Sequence, residues 1–174
     1  MIAKSISGIL SNLPIIFFVI ALIVAFTKVQ RARKGHKLVS VPYIFWGETL
    51  FYTVGLGFLW SGIFHAFFQH IAAPSIGWQP SPFEWELGWA EIGIALIALL
   101  SLARGFEFRL ATTLVFGVFS LAAAFQHIHQ IVCCRNLAPG NSGPILWFGD
   151  IFLPILFFIL ALASRDAGQT RLLR

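Results

Sequence analysis

Charge is scarce in this chain. Asp, Glu, Lys and Arg make up 11% of its 174 residues, against 58% hydrophobic residues, and the mean hydropathy is +0.84. A soluble domain of this length cannot hide so much apolar surface, so the composition excludes one and points to an integral membrane protein. Cysteine is nearly absent, with two residues, adjacent at Cys133 and Cys134. Neighbouring cysteines seldom bridge each other. There is no C-x-x-C, which leaves thioredoxin-like or quinone-linked disulfide chemistry unsupported. The plain reading of the pair is two small, partly buried side chains; soft metal ligation or an intermolecular disulfide are the alternatives. Repeats, low-complexity stretches and long loops are also missing, so residues 1–174 read as one membrane domain. No run alternates apolar and polar residues, which disfavours a β-barrel.

What is present is five apolar runs, each long enough to cross about 30 Å of hydrocarbon as a helix of roughly 20 residues. They cover residues 8–27, 42–73, 84–103, 110–134 and 144–164. The expected fold is therefore an all-α membrane protein of five transmembrane helices. Spans two to five form a four-helix bundle and span one packs at its edge. The first run is long for a signal peptide, lacks an A-x-A site and has its basic cluster behind it, so it reads as a retained span.

Basic residues set the expected orientation. Lys28, Arg31, Arg33, Lys34 and Lys37 follow span one, Arg104 and Arg109 follow span three, and Arg165, Arg171 and Arg174 follow span five. Only Lys4 and Arg135 fall on the other side. The positive-inside rule then puts the N-terminus outside and the C-terminus inside. The net charge of +5 is explained by topology and anionic lipid, without nucleic acid as a partner. The expected setting is a membrane that borders the cytoplasm. Trp46, Trp78, Trp85, Trp89 and Trp147 lie where interfacial belts form.

Ionisable residues inside spans are costly and mark function. His65, Glu91, His127 and Asp150 each lie six or seven residues from the outer end of a different span, roughly 10 Å deep at helical rise. Gln69, one turn from His65, Glu84, two turns from Glu91, and Gln130, three residues from His127, form a surrounding layer with His129. His127 and His129 are about 200° apart on a regular helix, so only one can face a shared site; depth and Gln130 favour His127. The inner half is nearly bare. Glu48, beside Thr49 and Thr53, is its main polar feature and is expected to pair with a cytoplasmic Arg or a helix-end group.

Two His and two carboxylates on four helices suit a first-row metal such as Zn, Fe or Mn, with the Gln and Glu residues orienting the imidazoles. The Glu-x-x-His motif of di-metal bundles is absent. Haem is disfavoured, because carboxylates would crowd it and no haem motif is present. The same residues can instead form a structural hydrogen-bond network in a non-enzymatic scaffold or membrane-complex subunit. They also suit a proton-coupled or quinone-binding pocket. The sequence leaves the choice between enzyme, carrier and scaffold open, and a homo-oligomer or a membrane-complex partner is compatible with each.

The segments SPFEWELGWAEIG, FQHIHQI, NLAPGNSG and GDIFLP resemble an uncharacterised family of small bacterial multi-helix membrane proteins, a domain of unknown function. The resemblance covers about Pro42 to Ser164 and implies a bacterial membrane protein with a site at these motifs; it implies no substrate. Three packing features complete the reading. Gly57 and Ser61 make a small-xxx-small step for close helix approach, with Gly88, Gly93 and Gly117 as receiving positions. Pro14 and Pro154 are expected kinks, and Pro154 can free the Asp150 carbonyl. Pro139-Gly140-Asn141 favours a tight turn.

Overall fold

The computed structural model describes residues 12–166, and among these all regular structure is helical. Residues 8–11 of the first expected span, Lys4, Arg171 and Arg174 lie outside the described residues. Helix α1 (Leu13–Lys34) has Pro14 in its first turn, where a missing N–H costs nothing. Pro14 therefore starts the helix and does not kink it. The helix runs on past Thr27, so Arg31, Arg33 and Lys34 occupy its last turn, where cations complement the exposed carbonyls.

Helix α2 (Val41–Phe67) begins with Ser40, whose hydroxyl accepts from the Tyr43 N–H at 3.4 Å. Its middle, Leu50–Leu56, is a π-helix. It stops at Phe68 (φ −128°, ψ 42°), and a separate short helix α3 (Gln69–Ser75) follows. The expected second span is thus two helices, and the break takes Gln69 off the His65 face.

Helix α4 (Pro82–Ser101) packs closest on α2. A Cβ built on Gly88 would lie 2.7 Å from both the Gly62 carbonyl oxygen and the Ala66 Cβ, and one on Gly55 would lie 2.6 Å from Leu99. Close approach thus belongs to Gly55, Gly62 and Gly88. The expected small-residue step at Gly57 does not provide it: a Cβ there meets no atom within 4 Å. Helix α5 (Phe106–Cys134) ends on Arg135 in the left-handed conformation. Helix α6 (Pro139–Ala163) opens with the turn Pro139–Ser142, helical where a tight turn was expected. It then passes through a second π-helix, Ile145–Phe152, before regular helix resumes at Leu153. Pro154 has no N–H to offer the Asp150 carbonyl, which accounts for the irregular turn ending there.

Helices α1, α2, α5 and α6 are long and apolar enough to cross a membrane. Helix α4 has 20 residues but carries Glu84, Glu86 and Glu91.

The basic segments meet at one end of the molecule. Arg109 is buried there. It donates from Nε to the Ser101 carbonyl (3.0 Å), from Nη1 to that of Tyr43 (2.8 Å) and from Nη2 to that of Leu102 (3.1 Å). Its guanidinium also lies 4.0 Å from the centre of the Tyr43 ring. One side chain thereby satisfies two carbonyls at the end of α4 and ties them to α2. Trp46 was expected in an interfacial belt, but it is fully buried and donates to the Thr113 hydroxyl at 3.0 Å. Trp85, Trp89 and Trp147 are exposed. Glu48 is paired, through Lys28 Nζ at 2.6 Å instead of an Arg.

Candidate functional site

The opposite end carries His65, His70, His127 and His129. His65, in the last turns of α2, donates from Nδ1 to Glu84 Oε2 at 2.6 Å. Glu84 sits in the first turn of α4 and is 4% exposed. The Gly62–Gly88 contact draws these two helices together, so the pairing follows from the glycines below it. Glu84, taken from sequence as a peripheral residue, is thus the direct partner of His65. Gln69 makes no hydrogen bond to His65.

Glu91 lies two helical turns below Glu84, with Ser61 of α2 beside it. Its charged neighbours are His65, Glu84 and, from α6, Asp150. Glu91 and Asp150 are each 7% exposed, and Glu91 Oε2 and Asp150 Oδ2 have no hydrogen-bond donor within reach. Asp150 stands inside the π segment of α6, and irregular turns of this kind recur at functional sites.

His127 completes the group. It is buried, whereas His129 is exposed and 3.2 Å from the Cys133 sulfur on the outside of α5. Both cysteines are free and exposed, against the expectation of partial burial. His127 donates from Nδ1 to Asn141 Oδ1 at 2.7 Å, which leaves Nε2 facing Asp150 Oδ2 at 3.8 Å. The Trp78 ring stacks at a tilt on the imidazole, 6.2 Å between centres. Asn141 is fully buried and also donates to the carbonyls of His127 (3.3 Å) and Asn136 (2.9 Å). Asn136 donates in turn to the Ile76 carbonyl at 2.8 Å. This chain locks the two loops over the site. The Gln130 side chain, expected to support His127, makes no hydrogen bond, and Asn141 takes that role. Sequence offered no signal for it, because an Asn after Pro-Gly reads as a turn former.

His65, Glu91, His127 and Asp150 are therefore brought to one end of the molecule, but as a linked series and not as a shell. Both imidazoles spend Nδ1 on protein acceptors. Among the described residues, no three His, Cys, Asp or Glu side chains converge in a way that could hold a metal ion. What they do offer is a run of proton donors and acceptors. With Nδ1 of each histidine engaged, Nε2 is the free ring nitrogen, and at His127 it faces the Asp150 carboxyl group.

The model of a family of unknown function, DUF6790, matches residues 11–170. The chain belongs to the DUF6790 family. The match extends beyond the Pro42 to Ser164 stretch that carried the sequence resemblance, and takes in α1. No curated protein and no solved structure matches the chain. The family and the four long apolar helices together make this a multi-pass membrane protein of a family without assigned function.

Proposed function

We propose that this protein is a proton-binding, proton-coupled protein of the bacterial cytoplasmic membrane, and that Glu91 and Asp150 hold the proton with His65, Glu84 and His127 around them. The observation that carries this reading is the pair of buried carboxylates, neighbours in charge, each with an oxygen that no donor reaches. A network built only for stability satisfies its buried acceptors. Two adjacent carboxylates that lack one donor apiece make a place for a single positive charge.

The topology proposed with it is one domain of five spans, with spans two to five as the bundle, the N-terminus outside and the C-terminus inside. Helix α4 serves as a span because 20 residues rise about 30 Å. Two of its three acidic residues, Glu84 and Glu91, are buried, while Leu96 and Leu100 are exposed. The orientation is supported by Lys28, Arg104 and Arg109 standing at the end away from His65 and His127. The satisfied chain from His127 through Asn141 and Asn136 to Ile76 favours a second, structural reading for that part of the cluster alone.

The test is infrared difference spectroscopy of the purified protein in lipid nanodiscs across a pH titration. A carboxylic C=O band that titrates in the wild type and disappears in Glu91→Gln or Asp150→Asn is expected. A wild-type spectrum with no titrating carboxylic band, from folded protein, would overturn the reading in favour of a scaffold.

A further inference from the structure

The outer cluster is not the end of the buried polar groups. Thr53 and Ser120 are both fully or nearly fully buried, and neither hydroxyl has a hydrogen-bond partner. Glu48, whose Oε1 is held by Lys28, keeps its Oε2 buried and unpartnered. Hydroxyls in this state are uncommon, because an unmet buried polar group costs stability and is normally met by protein or water.

Their positions form a pattern. Thr53, Gly57, Ser61 and His65 follow one another at steps of four along α2, which keeps them near one face of a helix. Glu48 lies five residues before Thr53, a step that would turn it away from that face in a regular α-helix. The segment between and beyond them, Leu50–Leu56, is the π-helix. Its i to i+5 bonding turns less per residue and reduces that offset. Ser120 belongs at this level from α5: the Phe58 ring packs on Phe116 (5.2 Å) and Phe119 (5.6 Å), which sets residue 58 of α2 level with residues 116–119 of α5. In the middle stands Gly57, buried, with open space where a side chain would begin. Space beside unmet hydroxyls is where internal water is held.

We propose that this face of α2 is a transmembrane proton path. It runs from Glu84 and His65 at the histidine end through Ser61 and Glu91, across a hydrated space at Gly57, past Ser120 and Thr53, to Glu48 and the half-exposed Lys28 at the basic end. Protons hop between carboxylates, imidazole and water, down the electrochemical gradient, and no other reactant is required. The inference rests on the proton-binding reading of Glu91 and Asp150, and it turns that site from a one-sided store into a station on a route.

The experiment is proton flux into liposomes that carry the protein and an internal pH dye, driven by a potassium diffusion potential set with valinomycin. Wild-type vesicles are expected to acidify several-fold faster than protein-free ones. Gly57→Val fills the space, and Thr53→Val removes the hydroxyl with little change of shape. Each is expected to bring the rate down to near the protein-free level, as is Glu48→Gln, which tests the far end. Should Gly57→Val fail to fold, Thr53→Val and Glu48→Gln decide alone. Flux that matches protein-free vesicles, or that is unchanged in Thr53→Val and Glu48→Gln, overturns the path. If the titrating carboxylic band is present while flux is absent, the path alone fails. If the band is absent from the wild type, the proton-binding reading fails as well.

Discussion

The two ends of the molecule both bury charge and settle it differently. At the basic end, Arg109 meets three carbonyls and an aromatic face, and Trp46 meets a hydroxyl. At the histidine end, Glu91 and Asp150 sit together with acceptors that no donor reaches. The first arrangement holds helices in place, because each buried group is worth more paired than exposed. The second leaves a cost in the fold that a bound proton or an ordered water would remove. Where a buried polar group is fully met, structure is the economical explanation; where it is not, function is.

That contrast can be broken by mutation, most forcefully at the basic end. Arg109→Leu strands the carbonyls of Tyr43, Ser101 and Leu102, and at about 1–3 kcal/mol for each unmet group it should prevent accumulation of folded protein or sharply lower its thermal midpoint in detergent. Next comes the contact between α2 and α4. Gly88→Val forces a side chain into Gly62 and Ala66 and should cost about 1–3 kcal/mol by overpacking, read as a lower midpoint together with loss of the His65–Glu84 pairing. At the histidine end the expectation reverses. Glu91→Gln and Asp150→Asn remove buried charge and should leave stability within about 1 kcal/mol of wild type, or raise it, while the titrating carboxylic band is lost. Should either substitution destabilise as severely as Arg109→Leu, the two ends would be alike and the proton-binding reading would lose its ground. Trp46→Phe keeps the packing and drops one neutral hydrogen bond, about 1 kcal/mol. His129→Ala, on the exposed side of α5, should stay within roughly 0.5 kcal/mol and leave the carboxylic band untouched.

Particular residues mark how far sequence reading reached. The helical runs were legible because apolar stretches of membrane length have few alternatives, although the boundaries moved: α1 extends through its basic tail, and the second run breaks at Phe68. Helical geometry allowed only one of His127 and His129 to face inward, and depth and Gln130 favoured His127; the structure buries His127 and exposes His129, although Gln130 does not hold it. Trp46 went the other way, since a tryptophan near a helix start reads as an interfacial residue until a Thr113 from another helix is found beside it. His65, Glu91, His127 and Asp150 were grouped by depth alone, and depth says nothing about which way two imidazoles turn.

By itself, then, the sequence determined that this is an all-helical membrane chain, where its apolar runs lie, and where along them its basic clusters and costly ionisable groups fall. Each of these follows from composition and from the fixed rise and turn of a helix. Tertiary structure alone decided that Glu84 rather than Gln69 holds His65, that Asn141 rather than Gln130 holds His127, and that Glu91 and Asp150 are both buried. It also introduced the two π segments and the open space at Gly57. These are relations between helices, set by which small residues let two backbones close together and by where a Phe68 or a Pro154 interrupts the regular turn, and no periodicity within one helix encodes them.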